Sequence, residues 1–276
     1  MTAHERADIA SARRVVVKVG SSSISGENAG KIGPIVEALA AAHGRGTEVV
    51  LVSSGAIATG MPFLALGERP SDLATQQAAA AVGQNVLIYQ YQAALRPFEI
   101  VAGQVLLTAG DLENPTHRSN ARRAMERLLG LRILPIVNEN DTVATHEIRF
   151  GDNDRLAALV AQLIGADALI LLSDIECLYT RPPGEPGARP IRHVAYDDDL
   201  HGFEFGSVVV NSVGTGGAAT KVSAAKLAAA SGIGVLVTSA DLVDRALSGD
   251  DLGTWFAPSP DPVTAVTGPI SSVRSA

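Results

Sequence analysis

The stretch Pro135-Ile-Val-Asn-Glu-Asn-Asp-Thr-Val-Ala-Thr-His-Glu-Ile-Arg-Phe-Gly-Asp-Asn-Asp-Arg-Leu156 decides how the chain reads. It opens inside Ile133–Val137, an apolar run with the length and residue types of a buried strand. The run breaks into Asn138-Glu139-Asn140-Asp141, and the stretch closes on Gly151-Asp152-Asn153-Asp154. After that, Leu156, Leu159, Val160, Leu163 and Ile164 recur at helical spacing. Amides and carboxylates therefore crowd the end of a strand and the start of a helix, which is where open α/β sheets bind ligands. Asp and Asn also cap helices and form turns. Two such clusters so close together favour a binding site over capping alone.

Working outward, other strand-like runs share this layout. Val15–Val19 runs into Gly20-Ser21-Ser22-Ser23, Val49–Val52 into Ser53-Ser54-Gly55, and Ala168–Leu172 into Ser173-Asp174. Glu99–Leu107 and Val235–Thr238 read as further strands. Helical spacing is expected over 35–42, 72–95 with Gly83 as its weak point, 154–164, 222–231 and 242–247. A helix over 120–129 should turn Ala121, Ala124, Met125 and Leu128 inward, and 143–150 is compatible with a small hairpin. The proline- and glycine-rich residues 180–190 read as a surface loop. Alternation of strands and helices predicts an α/β fold, a three-layer αβα sandwich with a largely parallel central sheet. Residues 1–256 form one domain in this reading, and 257–276 a flexible tail.

Composition narrows the function classes. With 276 residues, 46% hydrophobic, the chain can bury a large core, and with only 4% aromatic residues Ala, Val, Leu and Ile must fill it. A formal charge of −7 without a basic run argues against nucleic acid as the main partner. One cysteine, Cys177, permits no internal disulfide and fits a reducing compartment. No secretory signal or membrane-length apolar run is found, so a cytoplasmic location is expected.

The candidate chemistry lies in the small-residue loops. Glycines let the backbone approach an anion, and helix N-termini offer unpaired N–H groups. A fourth such loop, Gly214-Thr215-Gly216-Gly217, leads to Ala218-Ala219-Thr220-Lys221. Lys18 sits in a β-branched strand, where burial is costly unless an anion or acid pairs with it. Lys221, at a helix start, is misplaced for the helix dipole, which favours a bound phosphate as its partner. Neither a Walker A loop nor a dinucleotide Gly-x-Gly-x-x-Gly is present. The six histidines show no paired metal-ligand spacing, so no protein metal site is expected. Ser54 lacks a triad order and suits hydrogen bonding better than nucleophilic attack. Asp197-Asp198-Asp199 reads as a solvated turn or helix start.

In that order, Val16-Val-Lys-Val-Gly-Ser-Ser22, Val52-Ser-Ser-Gly-Ala-Ile-Ala58, Asn138-Glu-Asn-Asp-Thr-Val-Ala144, Gly151-Asp-Asn-Asp154 and Gly214-Thr-Gly-Gly-x-x-Thr-Lys221 resemble the amino acid kinase family, and within it the glutamate-phosphorylating branch. The resemblance runs from about Arg13 to Trp255. It implies ATP-dependent phosphorylation of the γ-carboxylate of L-glutamate with Mg2+, the first step of proline synthesis. It further implies Lys18 and Lys221 as cations on the moving phosphoryl group, with Asp174 orienting the lysines or capping a helix. Ser54, Gly55, Asp141 and Asn153 would hold glutamate; Lys18, Ser173, Asp174 and the run Thr215, Gly216, Gly217, Ala218, Ala219, Thr220 and Lys221 would hold ATP. Feedback inhibition by L-proline and a homo-oligomer, a dimer or tetramer, are the regulatory and assembly properties it implies. Cys177 stands where related kinases often carry glycine, Ala218 where methionine is common, and no C-terminal PUA domain is expected. Two other readings stay open: a family member acting on a different small acid, and a non-catalytic effector-binding homologue.

Overall fold

The computed structural model describes residues 2–24, 30–144, 153–200 and 217–262. The apolar runs become the strands. β1 (Arg14–Lys18) pairs in parallel with β2 (Glu48–Val52) on one side and β5 (Ala168–Ser173) on the other. Beyond β2 lie β4 (Leu134–Glu139) and then β3 (Ala102–Leu107); beyond β5 lies β9 (Gly234–Ser239), all parallel. β10 (Thr254–Phe256) joins β9 antiparallel and carries β8 (His193–Val194) at the edge. β6 (Leu178–Tyr179) and β7 (Pro190–Ile191) pair separately and flank the expected proline-rich loop.

Side chains alternate across each strand, and both faces are apolar because helices cover both. Val15 and Val17 pack with α1 (Ile32–Gly44), α3 (Leu73–Leu95) and α8 (Val243–Leu247). Val16 packs oppositely, with α5 (Pro115–Gly130), α6 (Asn153–Ile164) and α7 (Ala218–Ala230). This is the expected αβα sandwich. From β1 the chain steps to β2, β3 and β4 on one side, then crosses to β5 on the other. The carboxyl ends of β1 and β5 thus flank a topological switch point, where α/β sheets open a crevice.

Several boundaries differ from the sequence reading. α5 starts at Pro115, because the Asn114 Oδ1 cap accepts from the amides of Thr116 and His117 at 2.9 and 3.1 Å. Its buried residues are Met125 and Leu129, while Ala124 faces solvent. α7 starts at Ala218 rather than Val222, so Lys221 lies within a formed helical turn. The short α2 (Ala56–Gly60) and α4 (Ala109–Glu113) were not anticipated. The hairpin expected over 143–150 falls mostly outside the described residues, with Val143 in a turn. Beyond Phe256 the chain stays packed for three residues: the amides of Ala257 and Ser259 donate to Val194 O and Ala229 O at 3.0 and 2.8 Å.

Gly83 is not a weak point in α3. An added Cβ there would lie 1.8 Å from Ala56 O, and one on Gly60 would lie 1.9 Å from Ala79 O. The two glycines let α2 and α3 touch backbone to backbone. α2 begins directly after Ser53-Ser54-Gly55, so this crossing ties α3 to that loop.

Candidate active site

Lys18 closes β1 and turns its side chain into the crevice, where the residue is only 3% exposed. Its Nζ lies 2.6 Å from Asp154 Oδ1. Asp154, fully buried, stands in the first turn of α6, where a carboxylate suits the helix dipole. Its other oxygen, Oδ2, lies 3.0 Å from Lys221 Nζ in the first turn of α7. The Thr220 hydroxyl accepts the Gly217 amide at 3.1 Å and lies 3.2 Å from the same Oδ2. Two ammonium groups on one carboxylate carry a formal surplus of one positive charge. Two cations converging at the carboxyl end of a strand and the first turn of a helix suit an anion arriving from solvent.

Beside the charges lies a neutral network. Asn138, next to last in β4, is buried. Its Oδ1 accepts from the Glu139 amide at 2.9 Å and from Asn153 Nδ2 at 2.7 Å, and its Nδ2 donates to Gln84 Oε1 at 2.6 Å. Asn153 Nδ2 also donates to Ser53 O at 2.6 Å. With both N–H groups committed, this amide can offer a substrate only its acceptor oxygen. Ser53 Oγ lies 3.0 Å from Tyr91 OH, and burial pushes the Tyr91 phenol far up, so it stays protonated.

The remaining glutamate-side candidates surround this network. Gly55 has φ +89°, which favours glycine, and an added Cβ would meet Ser21 Cβ at 3.4 Å. Ser54 is half-buried between Ser53 and Gly55. Asp141 is half-buried in the turn after β4, where the amides of Val143 and Ala144 donate to Asn140 O at 3.2 and 3.1 Å.

On the other side of β1, Ser173 ends β5 and Asp174 follows it, exposed. Asp174 does not reach the lysines among the described contacts. Its Oδ1 accepts from the hydroxyls of Ser22 and Ser23 at 3.1 and 3.3 Å, clasping the loop after β1. The acid on both lysines is Asp154, which the sequence reading left inside its motif without a role. Two lysines drawn to the sheet's carboxyl edge need a shared acid, and that demand was the available signal. Gly217 caps α7, while Ala218, Ala219 and Thr220 form its first turn with Lys221. Thr215 and Gly216 lie outside the described residues. Cys177 is buried.

The family model for the amino acid kinase family matches residues 13–239, a span that takes in both lysines, Asp154 and the amide network. The chain belongs to the amino acid kinase family. Among curated relatives, an amino acid kinase named glutamate 5-kinase from Leifsonia xyli subsp. xyli is 72% identical, over 94% of this chain and 96% of its own. Another of that name, from Clavibacter sepedonicus, is 73% identical over 92% of this chain and 97% of its own. Among solved structures, carbamate kinase from Giardia lamblia bound to AMP-PNP superposes with a TM-score of 0.66 at 16% identity. It covers 91% of this chain and the whole of the other, which supports the fold of an amino acid kinase. No helix among the described residues is long and apolar enough to cross a membrane.

Proposed function

We infer that this chain has glutamate 5-kinase activity, transferring the γ-phosphoryl group of ATP to the γ-carboxylate of L-glutamate. The observation that carries it is the buried Lys18–Asp154–Lys221 cluster, whose two ammonium groups converge at the switch point of an amino acid kinase fold. The 72% identity to a relative named glutamate 5-kinase supports glutamate as the acceptor.

A γ-carboxylate oxygen attacks the γ-phosphorus, the bond from that phosphorus to the β,γ-bridging oxygen breaks, and ADP leaves with the electron pair. The acceptor is already ionised, so no general base is required. Charge spreads over the phosphoryl oxygens during transfer, and fixed cations are the main catalytic device for that. Lys18 and Lys221 meet those oxygens, while Asp154 holds both ammonium groups at one point. Ser173, Asp174 and the segment from Thr215 to Lys221 bind the nucleotide. Mg2+ would accompany the phosphates and supply positive charge there, as an ion usually held by one or two carboxylates plus phosphate oxygens. Asp174, exposed at the tip of β5, is the carboxylate that would hold it.

Ser54, Gly55, Asp141 and Asn153 hold glutamate. Asp141 and the Asn153 oxygen are both acceptors, which matches the α-ammonium. L-proline shares the α-carboxylate and a cationic nitrogen, and in this reading it competes at the same place. ADP release measured over a panel of small acids tests the activity. Turnover with glutamate well above carbamate and acetylglutamate is expected; a preference for either of those would overturn it.

A further inference from the structure

Helix α3 carries three polar residues at seven-residue spacing: Gln77, Gln84 and Tyr91. Seven residues is about two helical turns, so the three share one face. Each reaches a different segment around the substrate side. Gln77 Nε2 donates to Ala144 O at 3.2 Å, in the turn that holds Asp141. Gln84 Oε1 accepts from Asn138 Nδ2 at 2.6 Å, and Tyr91 OH lies 3.0 Å from Ser53 Oγ. None of the three belongs to a strand-end loop.

Gln84 is the member that reaches the amide network itself. Asn138 Oδ1 accepts twice, from Glu139 N and from Asn153 Nδ2. Rotating that amide by half a turn would set its N–H groups against two other donors. Two backbone groups, the Glu139 amide and the Ser53 oxygen, fix these orientations, and Gln84 anchors the far end by accepting from Asn138 Nδ2. Asn138 Oδ1 takes one Asn153 N–H, and Ser53 O takes the other. The outcome is an Asn153 side chain that can only accept. Gln84 is itself well placed for this, because it follows Gly83, the contact at which α3 meets Ala56 O.

We propose that Gln84 is a positioning residue for the amino group of the substrate, holding the Asn138 side chain, and through it Asn153, in place so that an acceptor meets the α-ammonium. The proposal rests on the glutamate reading above. Removing the acceptor at residue 84 leaves the Asn138 Nδ2 donor unsatisfied in a buried site, which shifts the relay and weakens recognition of the ammonium. It does not touch the phosphoryl side.

Steady-state kinetics of Gln84→Leu and Gln84→Glu tests this, with glutarate as a competitor that has both carboxylates but no amine. Gln84→Leu should raise the KM for glutamate about ten-fold, the scale of an unsatisfied buried donor. The KM for ATP and the inhibition constant of glutarate should stay within about two-fold of wild type. Gln84→Glu keeps an acceptor oxygen and should restore most of the glutamate KM. An unchanged glutamate KM in Gln84→Leu would overturn the proposal, as would equal weakening of glutamate, ATP and glutarate, or a Gln84→Glu variant no better than Gln84→Leu. Wild-type enzyme that turns over another acid but not glutamate would overturn the glutamate reading, and this proposal with it. Wild-type glutamate kinase with an indifferent Gln84→Leu overturns only this one.

Discussion

Two clusters meet at the carboxyl edge of the sheet, and they are held by opposite means. On one side Lys18, Asp154 and Lys221 are formally charged and buried, with both ammonium groups within 3.0 Å of the Asp154 carboxylate. On the other, Ser53, Asn138, Asn153, Gln84 and Tyr91 are neutral and joined by hydrogen bonds of 2.6 to 3.0 Å. Charge gives a strong field with little directional demand, which suits a phosphoryl group whose charge spreads as it moves. Neutral amides give direction at modest energy, about 0.5–1.5 kcal/mol per bond, which suits telling a donor from an acceptor. The supports differ too. The charged side rests on the first turns of α6 and α7, whereas the neutral side leans on the long helix α3.

The largest effect should come from Asp154→Asn. It removes the carboxylate that both buried ammonium groups share, and breaking such a buried pair costs about 3–5 kcal/mol. The melting temperature should fall, and kcat should drop by at least about 10²–10³-fold. Near-normal turnover would mean that the charged side is not held as described. Next comes Lys221→Met, with kcat lowered by about 10²–10³-fold and both KM values changed far less. A rise in KM with kcat intact would move Lys221 from transfer to simple binding.

Beside the neutral network, Asp141→Asn should raise the KM for glutamate by roughly 10- to 100-fold, the scale of a hydrogen bond to a charged group. The KM for ATP should hardly change, and sensitivity to proline should weaken in step with glutamate. Rates over a grid of glutamate and proline concentrations read both, and a mutant that lost glutamate affinity but kept full proline inhibition would separate the two sites.

The smallest effect is Tyr91→Phe. Ser53 keeps a contact to Ser54 O at 3.2 Å, so a change of a few-fold in glutamate KM is expected, about 1 kcal/mol or less. Burial raises the Tyr91 phenol above its usual 10.0, so the folded chain holds that proton after the unfolded chain has lost it. The stabilisation is therefore present below about pH 10 and declines as pH rises beyond it. Chemical denaturation from pH 9 to 11 should show a shallower decline in Tyr91→Phe than in wild type.

The strands were legible because each is a short apolar run that breaks into small or polar residues, and Lys18 stood out as a charge in such a run. The position of Asn138–Asp141 at a strand end was legible for the same reason. Asp154 was quoted but given no task, since its partners lie 136 and 67 residues away and leave no local pattern. Asp174 was given that task because it stands at a strand tip, and strand tips do not reveal which way a carboxylate turns. Gln84 and Tyr91 read as ordinary members of an Ala/Gln-rich helix. Their partners, Asn138 and Ser53, lie 54 and 38 residues away.

Periodicity, turn chemistry and the ordered motifs by themselves determined the layered α/β fold, its family and the loops that line the crevice. They act between near neighbours, where spacing alone says which face a side chain takes. Only the tertiary structure decided which acid serves the two lysines, which way the amide relay points, and why Gly60 and Gly83 must lack side chains. Those depend on helices and strand ends brought together across the switch point, where a single ångström separates a hydrogen bond from a gap.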